Sequence, residues 1–419
     1  MVDMEIISKE TIKPSTPTPN SLRTFGLCLF DQLIPTSASV PLIFYYSHES
    51  THAKRTEISS RLKSSLRDAL SLHYPFAGKM TNKSSVDCND QGVDFLEARV
   101  DTDLSKAIQP PKVELINPLV PRRSEESGGV LLRIQLTYFK CGGVAIGMSI
   151  RHKVADVCAL SMFVKNWAAM AHGDTDAVAP SFVTHHLFPP RDSFELQTSS
   201  ESPNWGKTRM FRFSSSKIAA LRAEVGATTA VPPTRVQLVT AVIWKWFMAR
   251  KGRDRSLPSF VWSPVNVRGR TDPPLSEYTF GNAIWWEKLS ANGEMDVVEL
   301  VSKLREGVVK IDSKYLEELQ GEHPNERLVR DTKKVMEFFV DQEVDYYLIT
   351  SWCRFPFHES DFGWGKPVWV STASWGFSNM VVLMDSMSDI GGIEAWITLD
   401  DVQKFEDVAQ LLAFDSRST

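Results

Sequence analysis

Apolar residues recur at helical spacing in several stretches of the chain. Ile58, Leu62, Leu66, Leu70 and Leu72 fall largely on one side of a helix spanning Glu57 to Leu72, which His73-Tyr74-Pro75 stops. Val157, Leu160, Val164, Trp167 and Ala171 repeat the pattern before Gly173 and predict a second helix. Ser215 to Val225 reads as a third. Thr234-Arg235-Val236-Gln237 has capping-box spacing, in which the threonine and glutamine side chains satisfy each other's free backbone donors. A helix through Arg250 is expected behind it. Asp296 to Tyr315 reads as one continuous helix.

Strand character lies between these runs. Val130 to Phe139 alternates, Cys141-Gly142-Gly143 turns the chain, and Val144 to Ile150 follows with small and β-branched residues. Phe260 to Val267 is a further strand, and Val368 to Leu383 reads as two more with Ser378-Asn379 near the turn. Residues 1–20 carry Pro14, Pro17 and Pro19 among serines and threonines, an extended arm that resists helix. Phe188 to Lys207 holds Pro189, Pro190, Pro203 and a serine run without periodicity, the composition of a crossover between domains. The expected organisation is α/β, with a first domain over 1–187, a linker over 188–207 and a second domain over 208–419.

Composition narrows the classes of function. The 419 residues are 42% hydrophobic and 23% charged, and no stretch approaches the roughly 18 consecutive apolar residues of a membrane-spanning helix. A net charge of −4 offers no general attraction to nucleic acid or to an anionic membrane. The first ten residues lack the basic start and apolar middle of a signal peptide, so a cytoplasmic protein is expected. Five cysteines without CxxC spacing indicate neither a disulfide framework nor a zinc site, and the adjacent His185-His186 pair lacks metal-ligand spacing. No metal is expected.

The chemistry concentrates where the second helix begins. His152 follows the strand that ends near Ile150, and a histidine at a strand-to-helix junction is aimed by the scaffold while its tip stays accessible. Neutral imidazole, with an ordinary pKa of about 6.5, accepts an alcohol proton and can return it to a leaving thiolate. Asp156 admits three roles: cap of the helix from Val157, orienter of His152, or member of a buried ion pair with Arg268 or Arg270. Asp361-Phe362-Gly363-Trp364-Gly365 is too rich in glycine and aromatics for an ordinary loop; it reads as a tight turn whose rings fill the core. No G-x-S-x-G elbow occurs, which argues against a serine acyl-enzyme.

With His152-Lys-Val-Ala-Asp156 and Asp361-Phe-Gly-Trp-Gly365 in this order, the chain resembles the plant BAHD acyltransferases over nearly its whole length. Tyr74-Pro-Phe-Ala-Gly78, Phe280-Gly-Asn282 and Thr350-Ser-Trp-Cys-Arg354 add to the likeness, which is greatest to the vinorine synthase and deacetylvindoline acetyltransferase branch. The resemblance implies two domains of similar, chloramphenicol-acetyltransferase-like mixed-sheet topology, a segment near 361–385 crossing into the first, and a channel with His152 at its middle. It implies acetyl-CoA as a co-substrate with no permanently bound cofactor, a small hydroxylated acceptor such as an alkaloid, and a monomer.

The same resemblance assigns residues. Asp156 would pair with Arg268, while Asp361, Gly363 and Gly365 would support the fold near the cofactor entrance. Trp352 would donate its indole N–H to the developing oxyanion, and Thr350 would position the acceptor hydroxyl. Where many members have glycine after the motif aspartate this chain has Val157, which leaves the backbone less free. Competing expectations are acetylation of a terpenoid or simple alcohol, hydrolysis of a thioester or ester by the same histidine, and a degenerate homologue that only binds.

Overall fold

The structure is a computed structural model that describes residues 4–47, 52–81, 84–121, 129–174, 177–191, 206–229, 231–249, 254–321, 329–334 and 346–400. Arg250 and most of the expected linker lie outside these. In chain order the first strands are β1 Met4–Ile12, β2 Thr24–Gly26, β3 Ser39–Tyr46, β4 Lys79–Met80, β5 Ser85–Asp87, β6 Val93–Val100, β7 Leu132–Phe139 and β8 Val144–Arg151. Then come β9 Lys207–Phe213, β10 Ser259–Asn266, β11 Ile284–Ala291, β12 Tyr346–Ser351, β13 Trp369–Ser371, β14 Met380–Asp385 and β15 Ile393–Leu399.

Two compact units form. The first comprises Met1–Thr198, Pro273–Ala283 and Phe355–Ala373; the second comprises Ser199–Asp272, Ile284–Arg354 and Ser374–Thr419. The first unit's main sheet has the order β1-β6-β7-β8-β3-β13, mixed in direction, with β6 parallel to β7 and the other neighbours antiparallel. A small sheet β2-β5-β4 lies in the same unit. Every residue of β7 is buried, whereas β1 at the sheet edge is mostly exposed, which is why its sequence carries no apolar alternation. The expected extended arm is thus a paired edge strand from Met4 to Ile12.

Two amphipathic helices of this unit, His52–Leu72 and Val157–His172, pack against each other. Trp167 Nε1 donates to Leu62 O at 3.2 Å and to Ser65 Oγ at 3.1 Å, so the indole is satisfied inside their apolar contact. Gly173 ends the second helix at φ 95°, the left-handed conformation that a Cβ disfavours.

The second unit holds a mixed six-stranded sheet in the order β11-β10-β12-β14-β15-β9, with β12 parallel to both β10 and β14. The predicted capping box is present: Gln237 N donates to Thr234 Oγ1 at 3.2 Å and Thr234 N to Gln237 Oε1 at 2.9 Å, starting a helix over Arg235–Met248. Trp244, Phe247, Leu300 and Val381 are buried in its core.

Two expectations change here. The run Asp296 to Tyr315 is broken into helices Val297–Val309 and Ser313–Gln320, because Asp312 accepts from Tyr315 N at 2.8 Å and caps a new start. The strands in 368–383 do not form a hairpin: β13 pairs with β3, Trp369 opposite Tyr45, whereas β14 runs parallel to β12, Met380 beside Leu348.

Candidate active site

β8 delivers the chain to the junction. His152 N donates to Ala38 O at 3.0 Å, which continues the β8–β3 pairing one residue past the strand, and a turn through Val154 leads to the helix. Lys153 points inward, its Nζ donating to Asp31 O at 3.2 Å and to Ile34 O at 3.3 Å. Asp156 caps the helix: Oδ1 accepts from Ala159 N at 2.9 Å. Its Oδ2 accepts from Ala283 N at 2.9 Å, so this residue, only 2% exposed, also ties Pro273–Ala283 to the junction. The capping role read from sequence is present, and a second backbone donor is held with it.

The imidazole is half-buried and its Nδ1 is fully enclosed, with no hydrogen-bond partner among the described residues. Burial lowers its pKa from the ordinary 6.5, opposed by its own backbone, by the Asp156 carboxylate and by Asn282. The ring is therefore neutral near pH 7, the form that removes a proton.

Behind it lies a cluster that periodicity and spacing did not single out. Asp31, fully buried, accepts at Oδ1 from Asn282 N at 3.1 Å and Asn282 Nδ2 at 2.7 Å, and at Oδ2 from Cys28 N at 2.7 Å. Asn282 Nδ2 also donates to the His152 carbonyl at 2.8 Å. Burial pushes the Asp31 carboxyl up to about 6 against these stabilising donors. A separation of 251 residues between Asp31 and Asn282 leaves no local pattern; the one signal was Asn282 within Phe280-Gly-Asn282.

Asp361 builds its own turn. Its Oδ1 accepts from Gly363 N at 2.8 Å, Trp364 N at 3.1 Å and Gly365 N at 2.9 Å, and the two glycines take φ 98° and 103°. Phe362 is buried edge-on against Trp167 at 4.8 Å, and Tyr46 Oη donates to Ser360 O at 2.8 Å. This motif is a structural clasp on the first unit's core.

The remaining predicted residues belong to the second unit. Arg268 is 2% exposed in a short turn after β10, where its backbone N donates to Asn266 Oδ1 at 3.1 Å. Thr350 lies on β12 beside Val382 of β14. Trp352 directly follows β12, its N donating to Leu383 O at 2.7 Å, and its buried indole meets Trp375 edge-on at 6.0 Å. His152, Asp156 and Asn282 are thus gathered in one unit, and Thr350 and Trp352 in the other. Among the described residues no His, Cys, Asp and Glu cluster is fit to hold a metal ion.

Comparison with known proteins adds an independent line. The model of the Transferase family matches residues 2–412. Stemmadenine O-acetyltransferase of Catharanthus roseus is 37% identical over 412 residues, covering 94% of each chain. A limonoid 1-O-acetyltransferase of Citrus sinensis is 34% identical, covering 99% of each. A crystal structure of vinorine synthase superposes with a TM-score of 0.81 at 33% identity, covering 97% of this chain and 96% of the other.

Proposed function

Because this chain belongs to the BAHD acyltransferases, whose members move acyl groups from coenzyme A to alcohols or amines, we propose that it transfers acetyl from acetyl-CoA to an alkaloid hydroxyl. Its O-acyltransferase class is that of its relatives, and the acceptor is the part proposed. Stemmadenine O-acetyltransferase at 37% identity supports an alkaloid; the limonoid enzyme at 34% makes an oxygenated terpenoid the second reading.

In this reading His152 Nε2 takes the acceptor's hydroxyl proton as the oxygen attacks the thioester carbonyl. The Trp352 indole N–H stabilises the tetrahedral oxyanion, and Thr350 aligns the hydroxyl. Collapse of the intermediate breaks the C–S bond, and the thiolate takes the proton back from the imidazolium. Coenzyme A and the acetyl ester leave, with no acyl-enzyme and no resident cofactor. The observation that carries the reading is a neutral, half-buried imidazole at the end of β8 with its Nδ1 turned into the protein.

Asp156 and Arg268 shape the site in this reading, with Asp361, Gly363 and Gly365 bracing the fold. The reading extends to a monomer and to a cytoplasmic location, the location supported by five cysteines that are all free thiols, as a reducing compartment keeps them. Incubating the protein with acetyl-CoA and a panel of alkaloid and terpenoid alcohols, read by mass spectrometry, tests it. Acetylation of an alkaloid alcohol is expected; acetylation of terpenoid alcohols alone favours the second reading, and free acetate as the main product overturns both.

A further inference from the structure

The carboxylate and amide behind His152 are more than packing. Asn282 Nδ2 has two hydrogens and both are engaged, one by Asp31 Oδ1 at 2.7 Å and one by the His152 carbonyl at 2.8 Å. That fixes the amide one way round, because a flipped Asn282 would set its oxygen against two acceptors. Asn282 Oδ1 is then buried with no hydrogen-bond partner among the described residues, and His152 Nδ1 is in the same condition. Two unpartnered polar atoms are thus left on residues that the bond from Asn282 Nδ2 to the His152 carbonyl holds side by side.

We propose that Asp31 and Asn282 are positioning residues that set the tautomer of His152. Asp31 orients the Asn282 amide so that Nδ2 holds the His152 backbone and Oδ1 faces the Nδ1 side of the ring, keeping the proton on Nδ1 and the lone pair on Nε2. Which nitrogen of a histidine is the base is decided by what the other nitrogen bonds, and the wrong tautomer disables an otherwise intact site. The inference rests on the reading of His152 as the general base.

The other ionisable groups around this cluster in the first unit are already committed. Asp156 has both oxygens on backbone N–H groups, and Lys153 Nζ is bonded to the Asp31 and Ile34 carbonyls. Cys28 is kept a neutral thiol by burial and by the adjacent Asp31. None of these supplies the orientation that Asn282 does.

The test begins with nitrogen-15 NMR of the full chain labelled at histidine, with His152 assigned by the signals missing in His152→Gln. At pH 7.5 the expected spectrum has a protonated Nδ1 and an unprotonated Nε2; a ring protonated at Nε2 overturns the proposal whether or not any variant folds. In Asn282→Ala, kcat should fall on the order of 10²-fold or more, with KM for acetyl-CoA within about threefold. The acid limb of kcat/KM should move to lower pH, because losing an acceptor lowers the imidazole pKa further. Asp31→Asn should shift kcat and the limb in the same directions, since an amide cannot accept on both of its sides. A folded Asn282→Ala with unchanged tautomer and unchanged limb contradicts the proposal. The two claims separate cleanly: the expected tautomer without acetyl transfer sinks the functional reading and supports the clamp, and transfer by an Nε2-protonated ring does the reverse.

Discussion

The strongest demands on this protein fall on single side chains. General-base catalysis typically supplies about 10²–10⁴ in rate, so His152→Ala should lose that much kcat while its melting temperature stays near wild type. Burial holds the imidazole pKa below the ordinary 6.5. The acid limb of kcat/KM should therefore have its midpoint below 6.5; a midpoint above it would mean that another group titrates. Asp156 fails differently, because it satisfies Ala159 N in the helix cap and Ala283 N in a distant segment. Asp156→Ala should destabilise by on the order of 2–5 kcal/mol, read by chemical denaturation, from a lost cap and a stranded donor. An equally stable but inactive variant would return Asp156 to the chemistry.

Among the elements, legibility followed locality. The helices of 157–172 and 235–248 were readable because their apolar period, caps and stops all lie within one short window. The break near Ile311 was not, since the apolar pattern runs on through a residue that is itself buried, and only Asp312 marks the new start. β1 escaped because its apolar residues, Met4, Ile6, Ile7 and Ile12, fall on a mostly exposed edge strand without regular alternation. The Asp361 turn was legible in composition, although its function as a three-donor clasp needed coordinates. Asp361→Ala should lower stability by about 1–3 kcal/mol, and Asp361→Asn, which keeps an acceptor oxygen, by clearly less. Equal losses in the two would mean that charge, not acceptance, holds the turn.

Across the whole molecule, two buried groups pull stability in opposite directions with pH. His73 is held neutral, its pKa lowered by burial to about 3, so below 6.5 the unfolded chain binds a proton that the folded one refuses, and stability falls as pH drops toward 3. Asp31 is raised by burial to about 6 from 3.8, so its contribution grows as pH falls through that window. His73→Phe should remove the first slope and reduce the loss between pH 6.5 and 4.5 by on the order of 2–3 kcal/mol. An unchanged slope would show that His73 does not govern acid stability. The site's outline was legible at this scale, since His152, Asp156 and the Asp361 turn each sit in a short motif. The Asp31–Asn282 support was not, because contacts over 251 residues arise only when the chain closes on itself.

The central claim is that the imidazole following β8 drives acyl transfer from coenzyme A to a hydroxyl. Its most direct test is single-turnover acetylation of an alkaloid alcohol by wild type and by His152→Ala at saturating acetyl-CoA. The predicted result is one acetyl ester and one coenzyme A thiol per turnover in wild type, with the variant slower on the order of 10²–10⁴ and equally folded. Equal rates in the two proteins would contradict it.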